Sequence, residues 1–344
     1  MKILITGSPG WLGNRFVQAL QGKLGELKSF LPPHIEEIRC LVLPDVESQF
    51  KKNNPDIRPI LGDITQKDSL NSFFENAKGA ILFHMAGVVH VSKGVKQFYD
   101  VNVKGTKNLL DLAVKNEVRK ILVISSNSPI GCNPHPEHLF TEETPYHPYM
   151  AYGRSKMQME TLVQEAFHQG KIKTVILRPC WFYGPGQPLR QTQLFSMVKN
   201  GKIPLGENKR SMSYVDNVCQ ALLMAALNDK ANGEIYWITD KRPYTMNHIM
   251  GTIENLLEKE FSIPVAHKRI KLPSLVCETA LVADFMLQKI GIYHQQIHVL
   301  SEVNKTIAAS SAKAEKDFGF SPLVGLEEGM RRSIQWCLDS GHVI

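Results

Sequence analysis

The chain of 344 residues contains no CxxC pair, no internal repeat and no low-complexity segment. Its six cysteines stand far apart, at 40, 132, 180, 219, 277 and 337, which excludes a zinc ribbon or a disulfide scaffold and fits free thiols in a reducing compartment. The net charge is +7, yet the basic residues form no block, so a basic surface is expected rather than a nucleic-acid site. No apolar run reaches the ~18 residues of a membrane span. The opening MKILITGSPG has one charge and a short apolar run before its glycines, and reads as a first β-strand rather than a signal peptide. A cytoplasmic protein is therefore expected. The most apolar stretch, LPSLVCETALVADFMLQKIG (272–291), is interrupted by Glu278 and Asp284 and reads as a buried helix. Lys268, Arg269 and Lys271 precede it, so peripheral membrane contact through 268–291 stays open.

What is present is an alternation of strand and helix. KILIT (2–6), IRCLVL (38–43), RPILGD (58–63), GAILFHMAG (79–87), KILVISS (120–126) and KTVILRP (173–179) read as strands. Helical spacing falls between them, at 11–22, 69–77, 101–116 and 155–167. This rhythm predicts an α/β fold, a doubly wound Rossmann-type parallel sheet with a smaller, mainly C-terminal α/β substrate-binding domain. The expected division is a dinucleotide-binding domain over 1–180 and a substrate domain over 181–344, with segments around 211–240 returning to the first. Tyr183 to Ser211 reads as a long connection lining the pocket.

ITGSPGWLG places Gly7, Gly10 and Gly13 between the first strand and the first helix. One glycine permits a sharp turn, a second lets backbone approach a phosphate, and a third lets helix and strand pack closely. The helix N-terminus then faces a pyrophosphate, so a dinucleotide, NAD or NADP, is expected. An acid after the second strand favours NAD and a base favours NADP. Leu43-Pro44-Asp45 offers Asp45 and no arginine, a slight lean to NAD, although Arg15 and Arg39 are within reach of a phosphate. Asp63 of GDI is placed to meet the adenine.

AYGRSK sets Tyr152 four residues before Lys156, on one face of a helix. SSNS (125–128) ends a strand at the carboxyl edge of the sheet, where sites in such folds form. Hydride leaves a carbinol carbon only as the hydroxyl proton departs. Tyr152 is the expected proton acceptor, Lys156 the group that lowers its pKa, and Ser126 the hydrogen-bond partner of the substrate oxygen. No metal is needed. His84, His90, His135 and His147 are not at metal spacing and read as core or loop residues.

These residues resemble an extended short-chain dehydrogenase/reductase. The resemblance rests on TGxxGxxG (6–13), GDI (62–64), HMAG (84–87), NVKGT (102–106), SSNSPIG (125–131), YxxxK (152–156), LRPCWFYGPG (177–186) and YVDNV (214–218). It implies NAD(P) held by Gly7, Gly10, Trp11, Leu12, Gly13, Asp45, Asp63, Ile64, Ala86, Gly87, Tyr152, Lys156 and Pro179. It also implies catalysis by Ser126, Tyr152 and Lys156, substrate contacts from Ser128, Tyr183 and Arg210, and a homodimer. Within that family the chain is most similar to the 3β-hydroxysteroid and sterol dehydrogenases, by 271–285 and 310–336. That implies alcohol–ketone interconversion on a bulky apolar small molecule. The alternatives are a nucleotide-sugar epimerase or dehydratase, which Arg210 keeps open, and a non-enzymatic NAD(P) sensor, which would not need all three catalytic residues. Asn127 stands where a dehydratase wants an acid.

Overall fold

The computed structural model describes residues 1–204, 206–270 and 273–344. Leu205 in the long connection, and Lys271 and Leu272 at the start of the apolar stretch, lie outside the described residues. Seven parallel strands form the main sheet: β1 (Lys2–Thr6), β2 (Glu37–Val42), β3 (Pro59–Leu61), β4 (Ile81–His84), β5 (Lys120–Ile124), β6 (Lys173–Pro179) and β7 (Ile235–Ile238). Their order is β7-β6-β5-β4-β1-β2-β3. The strands are apolar on both faces because both are covered. Ile3, Ile5, Phe83 and Leu122 point into one core, shared with α1 (Trp11–Leu20) and α4 (Val215–Leu227). Leu4, Leu82, Ile121 and Val123 point into the other, shared with α2 (Thr106–Lys115) and α3 (Met150–His168). This is the doubly wound architecture that the sequence predicts.

A third core joins α5 (Met246–Lys259), α8 (Leu326–Asp339) and the helix Leu189–Lys199 through Phe195, Ile249, Ile253, Met330 and Ile334. The helix Leu189–Lys199 corrects the reading of 183–211 as a connection. It buries only Thr192, Phe195 and Val198, so its apolar stripe is too thin to show in the sequence. Ala314, Phe318 and Phe320 pack into the main core, so the return of the C-terminal half extends beyond 211–240.

Two further helices, α6 (Ser274–Lys289) and α7 (Gln295–Glu302), form a hairpin. The expectation of a buried α6 is overturned. It turns Cys277, Ala280, Asp284 and Gln288 inward, while Leu275 and Ile290 are each 71% exposed and Val282 and Met286 also face outward. Among the described residues no helix is long and apolar enough to cross a membrane.

One buried ion pair fastens α3 to the sheet. Arg178 on β6 donates from Nε and Nη2 to Glu160 of α3, at 3.0 and 2.6 Å, and Tyr146 Oη donates to the same carboxylate at 2.8 Å. The guanidinium also lies 5.4 Å from the ring centroids of Tyr146 and Trp237. Removing one partner leaves an uncompensated buried charge. Glu160→Leu is expected to lower the unfolding free energy by about 3–5 kcal/mol. Pairing it with Arg178→Met is expected to recover most of that loss in urea titrations.

Candidate active site

Thr6, His84 and Ile124 end three adjacent parallel strands, so the loops that follow gather at one carboxyl edge. Gly7 turns the chain there at φ +96°, and a Cβ on it would stand 2.6 Å from the backbone of Met85 and Ala86. A Cβ on Gly10 would lie 2.7 Å from the Gly7 carbonyl oxygen, and one on Gly13 would overlap the same oxygen. Only glycine fits all three positions. The first turn of α1 has no side-chain cap and no acid, so its amide N–H groups are free to bind phosphate. The Ser8 hydroxyl is buried in the same loop without a partner. The turn thus fits the dinucleotide expected there.

The other residues expected around a cofactor separate by surroundings. Asp63 accepts from the Thr65 amide at 2.8 Å and stays partly exposed, while Asp45 is exposed just beyond β2. Ile64 turns its side chain into the core, against Gly105, and its carbonyl accepts from Asn108 Nδ2 at 2.8 Å. Trp11 is half-buried, its Nε1 donating to the Pro185 carbonyl at 2.8 Å, and Leu12 packs on the core. Ala86 and Gly87 follow β4, and Pro179 ends β6. Arg15 and Arg39 are not available to a phosphate. Arg15 forms a two-pronged pair with Asp216 at 2.6 and 2.8 Å. Arg39 is taken up by Glu37 and by the carbonyls of Phe73 and Glu75.

Tyr152 and Lys156 lie on the buried face of α3, with Ser126 half-buried beyond β5. The Ser128 amide donates to Ser126 Oγ at 3.1 Å, which fixes the serine. Burial raises the Tyr152 phenol to about 12, and the facing Ser126 hydroxyl pulls the other way. Lys156 Nζ donates to the Ile124 carbonyl at 2.8 Å, and a Cβ on Gly87 would stand 3.6 Å from it. Burial pushes its pKa down to about 8, against the charge of Glu160. The charge of Arg190, an exposed residue in the first turn of the helix Leu189–Lys199, adds a smaller pull on the Tyr152 phenol in the same direction as Ser126.

Three residues expected to meet substrate make contacts within the chain. Tyr183 is buried in the third core, its hydroxyl donating to Asp240 at 2.6 Å. Ser128 is buried and serves through its backbone, its carbonyl accepting from Tyr149. Arg210 is tied to the Glu302 carbonyl at the end of α7. The sequence reading missed the groups that do surround Tyr152. Phe98 lies 5.7 Å from its ring, and Tyr293 meets Phe98 edge-on at 5.3 Å. His90, read as a core or loop histidine, shares a 2.6 Å hydrogen bond with Tyr293. Val88, Val91 and Val95 complete this apolar wall. Asn102, on a π-helical turn at Tyr99–Gly105, bridges the Val88 backbone and Ser155.

A parallel sheet with a glycine turn and a Tyr–Lys helix at its carboxyl edge defines an oxidoreductase of the short-chain dehydrogenase/reductase class. The chain belongs to the 3-beta hydroxysteroid dehydrogenase/isomerase family, whose model matches residues 4–273. It is 45% identical to protein y4nL of Sinorhizobium fredii, over 99% of this chain and 96% of that one. It is 28% identical to the yeast (Saccharomyces cerevisiae) decarboxylating sterol-4-alpha-carboxylate 3-dehydrogenase, over 99% of this chain and 98% of that one. The Escherichia coli O157:H7 N-acetyl-alpha-D-glucosaminyl-diphospho-ditrans,octacis-undecaprenol 4-epimerase is 26% identical, over 97% and 95% of the two chains. Among solved structures, gox2253 superposes with a TM-score of 0.77 at 23% identity, covering 99% of both chains. The Thermotoga maritima UDP-glucose 4-epimerase gives 0.74 at 20%, covering 99% of this chain and 100% of that one. These two share the fold.

His84 sits beneath the site, between the Thr6 and Thr106 hydroxyls at 2.8 Å each. Burial, with Lys156 adding to it, lowers its pKa from 6.5 to about 3. The unfolded chain takes up a proton in that window and the folded chain does not, so stability falls as pH drops from 6.5 toward 3. Replacement by glutamine is expected to flatten this acid loss, measured as the difference in unfolding free energy between about pH 7 and about pH 5.

Proposed function

We propose that the protein interconverts a secondary alcohol and a ketone on a bulky, apolar substrate, with NAD as cofactor. The observation that carries this is the apolar wall of Phe98, Tyr293 and three valines around Tyr152, beside Ser126 and Lys156. The names of the sterol dehydrogenase relatives support the same substrate class. The engagement of Arg15 and Arg39 supports NAD over NADP.

Gly7, Gly10, Gly13 and the first turn of α1 would hold the pyrophosphate, and Lys156 would meet the nicotinamide ribose. When bound, the nicotinamide supplies the hydride acceptor or donor. Ser126 orients the substrate oxygen, and Tyr152 takes its proton in oxidation or returns it in reduction. A phenol held at about 12 is almost wholly protonated at neutral pH, so the phenolate that would accept a proton is scarce. Positive charge nearby favours the phenolate, and Arg190 contributes in that direction. The valine and aromatic side chains exclude water and seat the apolar body of the substrate.

Outward-facing Leu275, Val282 and Met286 of α6, with Ile290 just past its end, support contact with a lipid surface that carries such a substrate. Anionic vesicles are expected to sediment the protein, and Leu275→Ser with Ile290→Ser to weaken that.

The deciding assay follows reduced-nicotinamide absorbance with 3β-hydroxysterols, long-chain hydroxy acids and nucleotide sugars. Turnover of an apolar alcohol is expected, falling about 10²–10⁴-fold in Tyr152→Phe. Conversion of a sugar nucleotide without net cofactor reduction would favour the epimerase reading and sink this one.

A further inference from the structure

The catalytic helix has no cap of its own. Its N-cap residue, Tyr149, makes no capping hydrogen bond with its side chain, and Met150 enters the helix at φ +53°, a left-handed angle that a methionine adopts only under constraint. The chain is held there from far away, by the α6–α7 hairpin. The Ala151 amide donates to Gln288 Oε1 at 2.9 Å. Gln288 Nε2 donates to Asp284 Oδ1 at 2.8 Å, and Asp284 Oδ2 meets His298 Nδ1 at 2.7 Å. A second tie runs from Tyr149 Oη to Ser301 Oγ at 2.6 Å, and Ser301 donates to the His298 carbonyl at 2.7 Å. Asp284 is fully buried, and Gln288 and His298 nearly so.

The chemistry leaves one arrangement. An amide N–H needs an acceptor, so Gln288 must present its oxygen to Ala151 and its NH₂ to the carboxylate. Asp284 then accepts from both Gln288 and His298. His298 is faced by Asp284 from α6, by Glu302 from its own helix, by the rings of Tyr149 and Tyr293, and by His90. The two acids keep its imidazolium favoured despite burial.

We infer that Gln288, oriented by the Asp284–His298 pair, is a positioning residue for Tyr152, so that docking of the α6–α7 hairpin sets the catalytic tyrosine. This rests on Tyr152 being the proton-transfer group. Its distinct content is that a residue 136 positions away, touching neither reacting atom, governs where the phenol sits. The same hairpin presents Tyr293 to the wall around Tyr152, so cap and wall arrive together.

The test compares wild type, Gln288→Leu, Gln288→Glu and Tyr152→Phe. With the apolar alcohol panel, Gln288→Leu is expected to lower kcat about 10- to 100-fold, with KM and NAD binding nearly unchanged. Independently of any substrate, the Tyr152 phenol is titrated by ultraviolet difference against Tyr152→Phe. Its midpoint is expected to move in Gln288→Leu. Gln288→Glu keeps an oxygen for Ala151 but sets a second carboxyl against Asp284. It is expected to regain activity at acid pH, where the two share a proton, and to lose it as pH rises and both ionise. A Gln288→Leu enzyme with unchanged kcat and unchanged phenol titration, even if less stable, overturns this inference alone. Full activity in Tyr152→Phe overturns it together with the catalytic reading. If no panel member turns over, the phenol titration decides by itself.

Discussion

The structure depends on a helix that buries polar groups where a helix ordinarily buries leucines. Tyr152, Lys156 and Glu160 recur every four residues along the inner face of α3. Each would be costly there alone. Glu160 is offset by Arg178 and Tyr146, Lys156 by the Ile124 carbonyl, and Tyr152 by Ser126 and its ring contacts. The Glu160 pair does more than fasten the helix. Its negative charge is what keeps the buried ammonium of Lys156 from falling further, so anchor and chemistry share one electrostatic stripe.

That stripe needs the sheet edge to be rigid. The Thr6–His84–Thr106 chain supplies this, joining β1, β4 and α2 by hydrogen bonds through a neutral imidazole, and Thr106 continues it to the Asn102 carbonyl at 2.7 Å. Asn102 then holds Val88 and Ser155, so the loop after β4 and α3 are set relative to one another by a single side chain. A π-helical turn is a costly way to present an asparagine, and such turns occur often at functional sites.

Much of this is legible in the sequence, for definite reasons. Strands buried on both faces announce themselves as apolar runs, and β6 has the bounds 173–179 read from its residues. The glycine turn is legible because its steric demand excludes other residues. Tyr152 and Lys156 share a face by helical period alone. What stays hidden depends on long-range pairing. Nothing local says that Arg15 will find Asp216, that Tyr183 will meet Asp240, or that Gln288 will meet Ala151. The helix Leu189–Lys199 is hidden by its polarity, and α6 by an inverted pattern that periodicity reads as burial.

That inversion has an energetic meaning. Asp284 and Gln288 are tolerated inside because every polar atom facing the helix has a partner. Leu275, Met286 and Ile290 outside remain in water, at about 25 cal/mol for each Å² of apolar surface. An apolar phase that covers them shifts the docking of the hairpin only by what it gains over the undocked form, where the same outer face is also exposed. What caps α3 is therefore the inner face of α6, where Asp284 and Gln288 sit beside the small Cys277 and Ala280, while its larger apolar side chains form a separate outer surface, the reverse of an ordinary amphipathic helix.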